Sequence, residues 1–426
     1  MWLNSAASPT SQPGAVLLGK YRVDRVIGEG GMGFVVQATH TSLGHKVAIK
    51  VLREGKREGD HLARFRREAE LTSGIRSDHI VQVFDAGVSQ AGEPFIVMEL
   101  LLGRTVGDEV HARGPLPVSE AVDLILQAAR GLADAHAHGL VHRDVKPANL
   151  FIARRPNAAG VIDQSSPGVV KVLDFGLSKA PDAGGAAPLT STFATFGTPQ
   201  YMSPEQLRGA RFADARSDQY ALACVLYECL TARAPFDAES LGALALVIAN
   251  DMPVPASRVR GGVPPGVDAA IARAMAKEPN ARFSDVAAFA AALAPFGGAS
   301  ASAMSGAAQA SLTNGARTSS GGDLAPTGAF AAFPPMDAAP KSASSDAFTR
   351  QLRAPSVSAA AAAPASAGVK GWSDVMPSAP GAQQRPNPTV VDAAGRASDA
   401  GTTRPSAAAR RGGLLQSPLV IAGAVI

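Results

Sequence analysis

From Tyr21 to Leu100 the chain alternates short apolar and polar runs, and strands are expected at Tyr21 to Ile27, Phe34 to Ala38, Lys46 to Leu52, Ile80 to Ala86 and Pro94 to Leu100. A period of two puts every second side chain on one face, so each run can bury one side. A charged stretch with a helical pattern, His61 to Gly74, interrupts the series. Together these predict a small, mostly antiparallel sheet carrying one helix. After Leu102 the period lengthens. Val122, Ile125, Leu126, Ala129, Leu132 and Ala133 share one helical face between Val118 and His138. Further helical pattern follows, and Asp218 to Leu230 is apolar enough to be the buried central helix of a larger lobe. Two short strands, Leu150 to Ala153 and Val169 to Leu173, flank a loop from Arg154 to Gly168. That loop is long for a hairpin and is expected to be exposed and tolerant of change.

Beyond Gly297 the pattern stops. Residues 297–412 are dominated by Ala, Ser, Gly and Pro and are expected to form a disordered linker, and residues 1–18 a disordered leader. The formal charge of +4 does not point to nucleic acid, because residues 297–412 hold ten Lys/Arg against six Asp/Glu and so contain the whole excess. Cys224 and Cys229 lie in an apolar helical pattern without a second ligand cluster, as buried reduced thiols would. The N-terminus lacks the pattern of a signal peptide. Residues 413–426 begin an apolar run preceded by Arg404, Arg410 and Arg411. At thirteen residues, Leu414 to Ile426 is shorter than the roughly 20 that cross a bilayer, and it reads either as a frayed apolar tail or, the favoured of the two, as the start of a truncated transmembrane helix.

Candidate chemistry begins at Gly28, Gly30 and Gly33, spaced G-x-G-x-x-G. A dinucleotide fingerprint would open a helix there, but Phe34-Val35-Val36 continues as a strand, so the glycines form a turn whose backbone can approach phosphate oxygens. Lys50 follows in Val47-Ala48-Ile49-Lys50; among apolar neighbours its ammonium needs an anion. Glu68 is the expected partner, with Glu70 an alternative. The densest cluster is His142-Arg143-Asp144-Val145-Lys146-Pro147-Ala148-Asn149. Asp144 can accept the proton of a hydroxyl, Lys146 can neutralise charge on a transferred phosphoryl group, and Asn149 can ligate a divalent metal. Asp174-Phe175-Gly176 adds a second metal ligand after a strand, a donor set suited to Mg²⁺.

These segments, in this order, resemble a bacterial eukaryotic-like (Hanks-type) serine/threonine protein kinase over about Tyr21 to Phe296. The general template for that family assigns the roles just given, so they are not independent of it. The resemblance implies an α+β, bilobal protein-kinase-like fold, with an N-lobe at about 19–101 and a C-lobe at about 102–296. By resemblance Gly28, Gly30, Gly33 and Val35 cover ATP, Lys50 contacts the α/β-phosphates and pairs with Glu68, and Met98 guards the back of the adenine pocket. The hinge Glu99 to Leu101 offers backbone groups to adenine. Asp144 and Lys146 are catalytic, and Asn149 and Asp174 bind Mg²⁺, with Mn²⁺ as an alternative ion. Thr198 belongs to the substrate loop, and Thr190, Thr192 and Thr195 are candidate phosphosites, with Arg143 placed to meet a phosphate there. Glu205 is expected to pair with Arg282. His142, although beside Asp144, is expected to pack rather than react.

Lys146 and Gly197-Thr198-Pro199-Gln200-Tyr201 favour Ser/Thr over Tyr acceptors. The implied function is transfer of the ATP γ-phosphoryl group to protein Ser/Thr hydroxyls in bacterial signalling, including the chain's own activation loop. Implied partners are protein substrates, a second kinase domain and phosphothreonine-binding proteins. The implied location is cytoplasmic, with a membrane anchor through the C-terminal segment. Two competing readings are a catalytically dead nucleotide-binding module, disfavoured because Lys50, Asp144 and Asp174 are all present, and a scaffold built on the tail.

Overall fold

The computed structural model describes residues 8–30, 33–52, 69–157, 161–163, 166–175 and 199–318. Six antiparallel strands form the first layer: β1 (Val16–Leu17), β2 (Tyr21–Glu29), β3 (Gly33–His40), β4 (Lys46–Leu52), β5 (Val83–Val88) and β6 (Pro94–Glu99), in the order β1-β2-β3-β4-β6-β5. Alternation along β4 gives the sheet two useful faces. Val47, Ile49 and Val51 join Val23, Val36, Phe95 and Val97 in one apolar cluster. Lys50 and Leu52 point the other way, toward a second cluster containing Leu52, Ala69, Val83 and Ile96. Of the expected helix His61 to Gly74, only residues 69–73 are described, and they are helical.

The strand expected from Ile80 starts three residues later, at Val83. Ile80 and Val81 are extended but pair elsewhere, Ile80 forming a parallel bridge with Val172 and Val81 N–H donating to Val172 O at 3.0 Å. Alternation identifies extended chain without identifying its partner.

The larger lobe opens with β7 (Gly103–Thr105) and α1 (Val106–Arg113), whose start is fixed by a reciprocal Thr105/Asp108 capping box. Then follow α2 (Val118–Ala137), β8 (Leu150–Ala153) and β9 (Val169–Val172), with β7-β8-β9 forming a small sheet. Helices α3 (Pro204–Arg208), α4 (Ala215–Thr231), α5 (Leu241–Asn250), α6 (Pro265–Ala274), α7 (Val286–Leu293) and α8 (Ala301–Thr318) complete it. As expected, α4 is buried along nearly its whole length, Cys224 and Cys229 included. Its buried Gln219 is satisfied, donating to Asp285 O at 2.8 Å and accepting from Phe283 N–H at 3.2 Å.

Two expectations need correction. The tail does not become structureless at Gly297. In α8, Ala301 and Ala308 are buried and Met304 and Leu312 pack on the core, while Ser311 Oγ donates to Asp134 Oδ1 at 2.5 Å. Residues 301, 304, 308 and 311/312 form one helical stripe, and their mostly small side chains let α8 approach α2 closely; a composition rich in Ala and Ser concealed it. The leader is likewise ordered from residue 8. Pro9–Ser11 is a 3₁₀ turn, β1 pairs with β2, and Ser8 and Thr10 hydroxyls both donate to the buried Glu93 carboxylate. The loop after β8 is exposed as expected at most of its described residues, Val161 among them, while Arg154 at its start is buried against Glu109. No helix among the described residues is long and apolar enough to cross a membrane, and residues 413–426 lie outside them.

Candidate active site

The glycine turn is set by backbone contacts. Gly30 N–H donates to Gly33 O at 2.8 Å, and Gly28 faces Val35 across the β2–β3 ladder. A Cβ on Gly33 would sit 1.9 Å from Val51 O, so only glycine permits that closeness of β3 to β4. Val35 is directly opposite Lys50 in register. Lys50 Nζ lies 2.7 Å from Asp174 Oδ1, both side chains being mostly buried. Glu68, its expected partner, lies outside the described residues. The Lys50–Asp174 contact brings the two halves of the expected site together across 124 positions of chain. A small cavity beside it is lined by Lys50, Thr72, Ile96, Met98, Asp174 and Phe175.

Below it, Lys146 Nζ is 3.2 Å from Asp144 Oδ2. Asn149 Nδ2 donates to Asp144 O at 2.8 Å and to its Oδ2 at 3.2 Å, which fixes the amide so that Oδ1 is the free end. That Oδ1 is buried and has no hydrogen-bond partner among the described residues. An orphaned buried acceptor near Asp174 fits a cation, and among the described residues no group of three His, Cys, Asp or Glu offers a more conventional metal cage. One amide and one carboxylate with phosphate oxygens match the demands of Mg²⁺. Arg143 and Asp174 both adopt left-handed φ, +65° and +46°, conformations that persist only where surrounding contacts enforce them.

For Arg143 that contact comes from Asp218, whose role carries no motif in the sequence. Asp218 Oδ2 accepts the His142 N–H at 2.8 Å, Oδ1 accepts the Arg143 N–H at 2.7 Å, and His136 Nε2 approaches Oδ2 at 2.8 Å. Burial alone would raise this carboxyl, but the His136 and backbone donors outweigh it and hold it below the usual carboxylate range. The available signal was an acid opening the most apolar helix, where it must be satisfied.

His142 is fully buried and committed at both ring nitrogens. Nδ1 accepts the Asp144 N–H at 3.1 Å, so Nε2 carries the proton that Leu173 O receives at 2.8 Å. The ring lies 4.8 Å from that of Phe175. It packs and positions, as expected. In the hinge, Glu99 Oε1 accepts from Lys171 Nζ at 2.7 Å and from Gln82 N–H at 2.8 Å, and Leu101 is buried nearby. Glu205 and Arg282 form the expected pair, bidentate at 2.7 Å on both arms, within a buried network that includes Ser217. Thr190, Thr192, Thr195, Thr198 and Gly176 lie outside the described residues.

The arrangement is mirrored in known proteins. The family model described as protein kinase domain matches residues 21–288. The serine/threonine-protein kinase PknB of Mycolicibacterium smegmatis is 41% identical over 273 residues, covering 63% of this chain and 41% of that protein. A probable serine/threonine-protein kinase PknB of Bifidobacterium longum is 38% identical over 289 residues, covering 66% of this chain and 40% of that one. The chain thus spans about two fifths of the length of these relatives. Among solved structures, the Mycobacterium tuberculosis PknI kinase domain superposes with a TM-score of 0.51 at 27% identity, covering 66% of this chain and 98% of that domain. The sequence, the bilobal fold and these matches together place the chain in the protein kinase domain family, in its bacterial, Hanks-type serine/threonine branch.

Proposed function

We propose that the chain is an ATP-dependent kinase that phosphorylates Ser or Thr hydroxyls of proteins, with the chemistry residing in about residues 19–296. The carrying observation is that Lys50 meets Asp174 while Asp144, Lys146 and Asn149 meet one another, the two groups being joined where Leu173 N–H donates to Asn149 O at 2.9 Å. Bound Mg²⁺ would neutralise and align the triphosphate, and Asn149 and Asp174 are the residues that would hold it. Gly28, Gly30, Gly33 and Val35 would cover the nucleotide, and Glu99 and Leu101 would present backbone groups to its base. Lys50 would hold the α/β-phosphates. Asp144 Oδ2, already oriented by Asn149 Nδ2, would take the proton of the acceptor hydroxyl. Lys146, beside that carboxylate, would balance negative charge on the group in transit.

The same reading makes Thr198 part of the acceptor loop and Thr190, Thr192 and Thr195 self-phosphorylation sites. Arg143 Nε, buried without a hydrogen-bond partner among the described residues, supports a phosphate on that loop. Mn²⁺ substitution, pairing with a second kinase domain, phosphothreonine-binding partners, and a cytoplasmic kinase domain anchored through residues 413–426 belong to the same proposal.

The test is label transfer from γ-labelled ATP to the chain itself and to a generic Ser/Thr acceptor, with and without Mg²⁺. Asp144→Asn should lower the transfer rate by about 10²- to 10⁴-fold while leaving nucleotide affinity near the wild-type value. Asp174→Asn should weaken Mg²⁺-dependent nucleotide binding instead. Wild-type protein that binds nucleotide but transfers no label to itself or to any acceptor would overturn the assignment.

A further inference from the structure

A second cavity, of about 700 Å³, opens on the larger lobe and shares no lining residue with the cleft at Lys50 and Asp174. Its walls come from α2, from β7 and the β8–β9 connection, and from the start of α8. Because Ser300, Ala301 and Met304 lie beyond the family-matched residues 21–288, this cavity is completed by a segment the family does not define. Its size falls within the range of small-molecule sites.

The arginines on its walls gather around one buried acid. Arg104, Arg113 and Arg154 line it, and all three guanidinium groups reach the Glu109 carboxylate, which is fully buried. Arg113 also holds Glu120, with Nη2 donating to Oε2 at 2.8 Å. Three guanidiniums thus stand beside the three carboxylates of Glu109, Glu120 and Asp123, so the formal charges balance and what is left over is hydrogen-bond donors. Asp123, the remaining acid on the lining, is turned to the chain before α8, where it accepts the Gly298 N–H at 2.8 Å. Arg104 meets Glu109 through Nε as an ion pair, and among the described residues its two terminal nitrogens donate no hydrogen bond. A mostly buried guanidinium with a free fork is matched by a carboxylate, which it can bind bidentately. Leu124, Ile152 and Met304 add apolar residues to the lining.

We propose that this cavity binds a small organic carboxylate with an apolar body, its anionic end on Arg104 and its body against Leu124, Ile152 and Met304. Because the ligand would touch both α2 and the start of α8, its occupancy would favour the docked position of α8. The site is independent of the phosphotransfer reading, since binding is measured directly and without ATP.

The experiment titrates the full chain with 4-phenylbutyrate and, separately, with inorganic phosphate, by calorimetry. Saturable binding of 4-phenylbutyrate with a dissociation constant of about 1 mM or tighter is expected, weakened at least about tenfold by Arg104→Gln. Met304→Trp, which fills the apolar side from a half-buried position, should abolish it and serves if the arginine variant does not fold. Three results would each overturn the proposal: no heat up to about 10 mM, equal affinity in wild type and both variants, or phosphate binding as tightly as the aryl carboxylate.

Discussion

Replacing Arg282 by methionine removes the partner of Glu205 while keeping a long side chain in place. In the wild type, Arg282 is 0% exposed at its side chain and Glu205 7%, and the two arms of the pair are supplemented by donation from Arg282 to the backbone oxygens of Arg216 at 2.9 Å and Ala276 at 2.8 Å. Loss of one member of such a pair leaves an uncompensated buried charge, and about 3–5 kcal/mol of stability should disappear. At this chain length that corresponds to roughly 2 °C per kcal/mol, a midpoint lowered by about 6–10 °C. The pH dependence supplies a second handle. Burial raises the Glu205 carboxyl, but the Arg282 guanidinium and the Ser217 hydroxyl overcome it, and the net pKa lies below the usual value. A depressed folded-state pKa contributes stability that is present above the unfolded carboxyl pKa and lost as pH falls through the folded one. In Arg282→Met, burial acts against only the Ser217 hydrogen bond, so the penalty of the bare carboxylate is relieved by protonation. The stability gap between wild type and variant should therefore be widest near about pH 7 and narrow toward about pH 4. Urea unfolding followed by circular dichroism at several pH values reads both quantities. A gap below about 1 kcal/mol, or one that does not change with pH, would refute the reasoning. The double variant Glu205→Gln/Arg282→Met should recover part of the loss, because it leaves no buried charge behind.

The remaining predictions address packing and titration at separate places. Gly131→Ala would put a Cβ 2.5 Å from His79 O, and the forced separation of α2 from that loop should destabilise the protein by about 1–3 kcal/mol in the same unfolding assay. Asp218→Ala should leave the His142 and Arg143 N–H groups unpaired at about 1–3 kcal/mol each and depress phosphotransfer more than nucleotide affinity, measured by label transfer alongside calorimetry. Cys224 and Cys229 are fully buried, and burial pushes both thiols far above their ordinary pKa. They should resist a thiol reagent at about pH 8 in the native protein and both react once it is unfolded. Burial lowers Lys277 to about 8 despite its hydrogen bond to Ile248 O at 2.7 Å. Since the folded state then releases its proton before the unfolded state does, wild-type stability relative to Lys277→Met should rise as pH climbs from about 8 to about 10.

Most of the site was legible because its chemistry is concentrated in short segments of unusual residue type. A lysine at the fourth position of an apolar strand, or an acid and an asparagine five residues apart beside a second acid after a strand, has few other uses. What stayed hidden depends on partners distant in sequence. Asp218 carries no motif of its own; its importance is visible only when His136, His142 and Arg143 close around it. Ile80 and Val81 looked like the start of β5, yet their backbone groups pair with β9, a choice made by tertiary packing. The α8 segment was misread for the opposite reason. Alanine and serine give little hydrophobic signal, although their small size is what lets two helices meet closely, so an amphipathic stripe of small residues is indistinct by composition.

The seating of α8 also has a mechanical side. Whatever follows Thr318 is fastened through this helix to α2, where Asp134 receives Ser311 from one direction and Ser77, at the entrance to the smaller lobe, from the other. One carboxylate thus ties the helix to Ser77 through two short hydroxyl contacts, so displacing α8 would load the same anchor that holds that serine.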